Sequence, residues 1–90
     1  MAKVRFTSAL KRFFPTLAEG QVQGHTVREA LENIERTYPG ILNYLVDENG
    51  ELRKHVNIFL KGELIRDRTT LKDVVKPEDE LLIFQALSGG

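Results

Sequence analysis

The chain has ninety residues, enough for one domain with one hydrophobic core and too few for a second. Thirteen basic and thirteen acidic side chains cancel, so no net field draws the protein to nucleic acid or an anionic membrane, and any partner must read a local surface. The absence of cysteine excludes disulfides, thiolate metal sites and a cysteine nucleophile; the charged segment 1–6 reads as neither signal peptide nor membrane anchor, which leaves the cytoplasm as the expected location.

Over residues 3–10 the side chains alternate, with Val4, Phe6 and Ser8 opposite Lys3, Arg5 and Thr7, which predicts an opening strand. Pro15 lacks a ladder donor and interrupts it after Phe13-Phe14, and 19–23 predicts a returning strand whose one apolar side chain is Val22. Thr26 and Glu29 have the spacing of a capping box and open a helix. Its apolar stripe is Val27, Ala30, Leu31, Ile34 and Tyr38, while Arg28, Glu32, Asn33, Glu35 and Arg36 take the opposite side, Glu32 and Arg36 at ion-pair spacing. Pro39-Gly40 stops this helix, 41–46 predicts one or two further helical turns, and Asp47-Glu48-Asn49-Gly50-Glu51 predicts an exposed turn.

Val56, Ile58 and Leu60 alternate with His55, Asn57 and Phe59 in a second strand pattern, and Lys61-Gly62 predicts a tight hairpin into a short partner strand. Arg66-Asp67-Arg68 reads as a solvated charge run, and 69–74 as one capped turn. Pro77-Glu78-Asp79 then reverses the chain into a final strand, 80–87, apolar enough to be central. The order strand, strand, helix, strand, short strand, strand is an α+β pattern: a mixed sheet of about five strands with one main helix packed on one face. Residues 1–87 form the domain in this reading, and 88–90 a flexible tail.

Side-chain parity gives a further expectation. If Val56, Ile58, Leu60, Leu81 and Ile83 face the helix, Phe59, Leu82 and Phe84 face away from it, onto sheet that nothing covers. Isolated surface hydrophobics, or a bulge that inverts one strand, would account for them without function; a docking patch near the root of the tail is the alternative.

The body offers little chemistry. His25 and His55 lie in different elements without the companions a metal site needs, so no metal is expected, and Gly24-His25-Thr26 lacks the lysine and glycine spacing of a phosphate loop. What remains is Ser88-Gly89-Gly90. Its plain reading is a frayed end. Its functional reading is that residues without Cβ thread a channel too narrow for other side chains, so that a partner reaches the carboxylate of Gly90. That carboxylate is ionised at neutral pH and a poor electrophile, and needs activation, for instance as an acyl-adenylate, before a sulfur donor or an amine attacks it.

The tail, together with His55-Val56-Asn57-Ile58-Phe59-Leu60-Lys61-Gly62-Glu63, Leu71-Lys72-Asp73 and Leu81-Leu82-Ile83-Phe84, resembles the MoaD/ThiS group of ubiquitin-like sulfur carriers, in particular the carriers that feed cysteine synthesis and the archaeal small modifier proteins. The resemblance implies a β-grasp fold and a carrier acted on by enzymes, not an enzyme itself. It implies adenylation of Gly90 by a ubiquitin-activating-type partner that uses ATP and magnesium, with no cofactor held by the chain, and conversion to a thiocarboxylate that donates sulfur. Gly89 would give access; the parity reading adds Phe59, Leu82 and Phe84, with Ser88 of the tail, as the residues that would meet this partner. The sulfur acceptor would be a cysteine synthase-like enzyme or the large subunit of molybdopterin synthase. Three alternatives share the fold: the small subunit of molybdopterin synthase, a modifier forming isopeptide bonds to lysine, and an interaction module with an inert tail. Pro77-Glu78-Asp79-Glu80 stands where many relatives have Asp-Gly-Asp-Glu, and Gln85-Ala86-Leu87 where many have proline.

Overall fold

A computed structural model describes residues 1–85; Ala86, Leu87, Ser88, Gly89 and Gly90 lie outside the described residues. The elements in chain order are β1 (Ala2–Phe6), α1 (Ser8–Lys11), β2 (Gly20–Val22), α2 (Val27–Thr37), α3 (Ile41–Leu45), β3 (Val56–Leu60), β4 (Glu63–Leu64) and β5 (Glu80–Gln85). The strands form one five-stranded sheet in the order β2-β1-β5-β3-β4. β1 and β5 run parallel and the other neighbours antiparallel, so the sheet is mixed and β5 lies at its centre, as its apolar composition predicts.

The opening strand is shorter than its alternation suggests. Thr7 keeps extended backbone and its N–H donates to the Ile83 carbonyl at 3.2 Å, but the consecutive apolar pair Ala9-Leu10 breaks the two-residue period. A helical turn buries both at once, and Leu10 is fully covered, so Ser8 begins α1 and does not share a strand face with Val4.

α2 buries Val27, Ala30, Leu31 and Ile34 against the sheet, and Tyr38 meets Phe6 edge-on at a ring-centroid distance of 6.3 Å. Thr26 caps it by accepting the Glu29 N–H at 3.2 Å; the returning bond from Glu29 is displaced by one residue, since its carboxylate accepts from the His25 N–H at 2.8 Å. Just ahead of this cap, Gly24 sits at φ 148°, where an added Cβ would lie 2.7 Å from the Ala30 nitrogen; only glycine lets the chain enter the helix this closely.

The polar side of α2 is less open to water than its composition suggests. Arg28 donates to the carbonyls of Thr70 at 3.0 Å and Gly50 at 2.7 Å, so the 47–51 turn is tied to the helix. Asn33 donates to the Gln23 carbonyl at 2.6 Å, and the Glu35 carboxylate accepts from the N–H groups of Gly40 and Leu42, capping α3 from the end of α2. The ion pairs among the described residues join Arg5 to Glu19 at 2.9 Å and to Glu80 at 3.7 Å; Glu32 and Arg36 form none.

The predicted hairpin is present: Lys61 and Gly62 both have positive φ, 57° and 81°, as a two-residue turn matched to strand twist requires. The Arg66-Asp67-Arg68 run, in contrast, is not merely solvated charge. Arg68 is half-buried, and its guanidinium donates to Asn57 Oδ1 and to the carbonyls of Arg53 and Val56 at 3.1, 2.7 and 2.8 Å. Asp67 is the cap of the following turn, accepting from the N–H groups of Thr69, Thr70 and Lys72 and from the Thr70 hydroxyl.

These contacts set a pH dependence. Hydrogen bonds from Thr70 hold the Asp67 carboxyl far below its ordinary 3.8, and those from Gly40 and Leu42 hold Glu35 below its ordinary 4.5. A carboxyl whose pKa is depressed on folding contributes stability that is whole above its unfolded value and is lost as pH falls. Urea midpoints should therefore decline from about pH 5 downward. An Asp67→Asn, Glu35→Gln double variant should show a flatter decline and approach the parent at the acid end.

Candidate functional site

The face of the sheet turned away from α2 carries a row of side chains fixed by register. Leu64 pairs with Phe59 across β4 and β3, Phe59 with Leu82 across β3 and β5, and Leu82 with Arg5 across β5 and β1. Phe84 lies one pair further along β5, opposite Asn57. The expected parity holds without a bulge: Val56, Ile58, Leu81 and Ile83 are fully buried on the helix side, whereas Phe59 and Leu82 are half-buried and Phe84 is 38% exposed. Leu64, 54% exposed beside Phe59, extends the patch to the sheet edge. Its membership was legible in the hairpin, because a two-residue turn sets Leu64 opposite Phe59.

Charge frames this apolar row. Arg5 is held at one end by Glu19 and Glu80, while Arg68 grips Asn57, the neighbour of Phe84. The row therefore has a hydrophobic centre and a polar rim, the composition that favours burial against another protein. No helix of the described residues is long and apolar enough to cross a membrane.

β5 passes beneath this patch and ends at Gln85, whose N–H donates to Thr7 Oγ1 at 3.4 Å and whose carboxamide oxygen is buried without a donor among the described residues. Gln85 is the root of the tail. Ser88, Gly89 and Gly90, the residues expected to carry and deliver the chemistry, lie outside the described residues. Among the described residues no cluster of three or more His, Cys, Asp or Glu side chains is gathered for a metal. A concavity of about 500 Å³ between β2 and α2 is lined by Val4, Phe6, Val22 and Ile34, with Glu19, Arg36 and Tyr38 among its polar residues.

A five-stranded mixed sheet crossed on one face by a single long helix, with the C-terminal strand at its centre, defines a ubiquitin-like β-grasp protein. The ThiS family profile matches residues 9–90, and the chain belongs to that family. It is 31% identical over 65 residues to small archaeal modifier protein 1 of Haloferax volcanii, covering 72% of this chain and 70% of that protein. It is 30% identical over 69 residues to the sulfur carrier protein CysO of Mycobacterium tuberculosis, covering 74% of each. Among solved structures, one chain of the Amycolatopsis orientalis BexX/CysO complex superposes with a TM-score of 0.85 at 28% identity over the full length of both chains.

Proposed function

We propose that this protein is a sulfur carrier activated at Gly90. A partner adenylating enzyme, which holds ATP and magnesium, directs the Gly90 carboxylate onto the α-phosphorus, and pyrophosphate leaves. The mixed anhydride is then attacked at its carbonyl carbon by sulfide, the C–S bond forms as the bond to the AMP oxygen breaks, AMP departs, and a thiocarboxylate remains. That sulfur passes to an acceptor enzyme, a cysteine synthase-like one on the resemblance of 55–63, 71–73 and 81–84 to the carriers that feed cysteine synthesis. The observation that carries the reading is the position of β5: the central strand of the sheet runs under an uncovered apolar row and then into the Ser-Gly-Gly end, so one face reads the partner while the end is delivered to it.

Intact-mass analysis of protein taken from its native cell tests this. One oxygen exchanged for sulfur is the expected result, and an unmodified chain under conditions where the acceptor pathway operates would remove the proposal. The 31% identity to a small archaeal modifier protein favours a second reading, attachment of Gly90 to lysines of other proteins, which would give a ladder of conjugates in the same experiment.

The apolar row is the surface by which the activating enzyme would recognise the carrier. Phe84→Glu should raise the KM for activation about tenfold or more, since buried aromatic anchors at interfaces commonly contribute 2 kcal/mol or above. Stability should change little, because Phe84 already meets solvent. Initial rates of ATP–pyrophosphate exchange against carrier concentration, with an unfolding curve for each protein, decide the point.

A further inference from the structure

The end of the molecule from which β5 emerges is built from three stretches, 6–18, 38–46 and 52–57, and none of the thirteen acidic residues falls in any of them. That segregation gives this end cations and no acids of its own; Asp47 and Glu51 border it across the Val46–Leu52 bridge. The cations there are Lys11 and Arg12 at and just beyond the end of α1, and Arg53 and Lys54 in the turn before β3. Lys11 and Arg12 directly precede exposed aromatic surface in the chain. Phe13, 55% exposed, stacks on Tyr44, 38% exposed, at a centroid distance of 5.0 Å, and Phe14 meets Tyr44 edge-on at 5.3 Å.

The patch is continuous. Arg53 Nε donates to the carbonyl of Asn43, the residue before Tyr44, at 3.0 Å, which joins the basic turn to the aromatic pair. It also borders the tail root from two sides: α1 lies against β5, Thr7 accepts from the Gln85 N–H, and Val56, two residues after Lys54, pairs with Gln85. Lys11, Arg12 and Lys54 are exposed and enter no ion pair among the described residues, while the nearby Glu35 carboxylate is occupied by Gly40 and Leu42.

We infer that this basic and aromatic collar is a second contact surface, distinct from the apolar sheet row, and that it docks on an acidic rim around the channel by which the adenylating enzyme receives the tail. The inference rests on the proposed function and names a partner surface for it. Complementary charge at the mouth of a channel orients the encounter, so that the tail arrives end-on, and it acts mainly on the association rate. Phe13 and Tyr44 supply the desolvated centre that holds the rim once it has met.

The test is the activation rate of a Lys11→Glu, Arg12→Glu, Lys54→Glu variant, with ATP and the adenylating enzyme of the same cell, at about 50 mM and about 500 mM salt. At low salt kcat/KM should fall about tenfold or more with kcat unchanged, and at high salt the variant should come close to the parent. The corresponding three glutamine substitutions should fall between. Phe84→Glu should keep its defect at both salts, because its contact is apolar. If the parent is activated and the charge-reversed variant matches it at low salt, the collar has no such role while the carrier function stands. If the parent itself is not activated, the proposed function fails and the inference with it. Displacement of the enzyme by a single-stranded RNA that binds the parent but not the variant would assign the collar to nucleic acid and overturn the inference.

Discussion

Deletion of Gly89 and Gly90 should reduce activation to background while leaving the stability of the folded body within about 0.5 kcal/mol of the parent. The two halves of this expectation have separate causes. Each extended residue spans about 3.3–3.6 Å, so the shortened chain presents its carboxylate about 7 Å short of the reacting centre. A misplacement of about 1 Å already lowers a positioned reaction by about a hundredfold, so a shift this large leaves nothing measurable. The core, on the other side, closes between Ala2 and Ile83, and the α2 stripe and the three central strands are complete before the tail begins. Pyrophosphate exchange and a urea curve on the same preparation check both. Full exchange activity in the shortened protein would show that the reactive group lies elsewhere.

What could be read in the sequence was what depends on period and on local turn chemistry. The alternation in 56–60 and 81–84 fixed which side chains face α2, and Lys61-Gly62 gave the hairpin because both positions demand positive φ. Parity alone therefore exposed Phe59, Leu82 and Phe84. The sequence was silent on contacts made by polar side chains across distant segments. Arg68 and Asn57 are eleven positions apart, and Arg28 and Thr70 forty-two, and no pattern of period 2 or 3.6 marks such pairs. For the same reason Asp67 read as surface charge when it is a cap, because a capping aspartate and a solvated one have the same neighbours in sequence until the turn forms. The basic end was likewise hidden: its three acid-free stretches are separated in the chain and meet only when β1, β3 and β5 align.

The largest loss of stability should come from Ile83→Ala, in the strand that also leads to the tail. Ile83 is fully buried, flanked by Phe6 on β1 and Ile58 on β3, and nothing beside it is free to collapse into the space an alanine would leave. The expected loss is about 2–5 kcal/mol, a large part of the total available to a small domain and equivalent to about 10 °C or more in the unfolding midpoint. Phe84→Ala, one residue further and on the opposite face, should lose less, since Phe84 packs on one side only. The functional order should be the reverse. At a temperature where both variants are folded, Ile83→Ala should be activated at the parental rate and Phe84→Ala more slowly, because the first touches only the core and the second the surface proposed to meet the partner. Urea midpoints at unchanged m, set beside pyrophosphate-exchange rates, separate the two effects. Parallel losses of stability and activity in both variants would mean that the outer face serves the fold, and that recognition must be sought at the collar around the tail root.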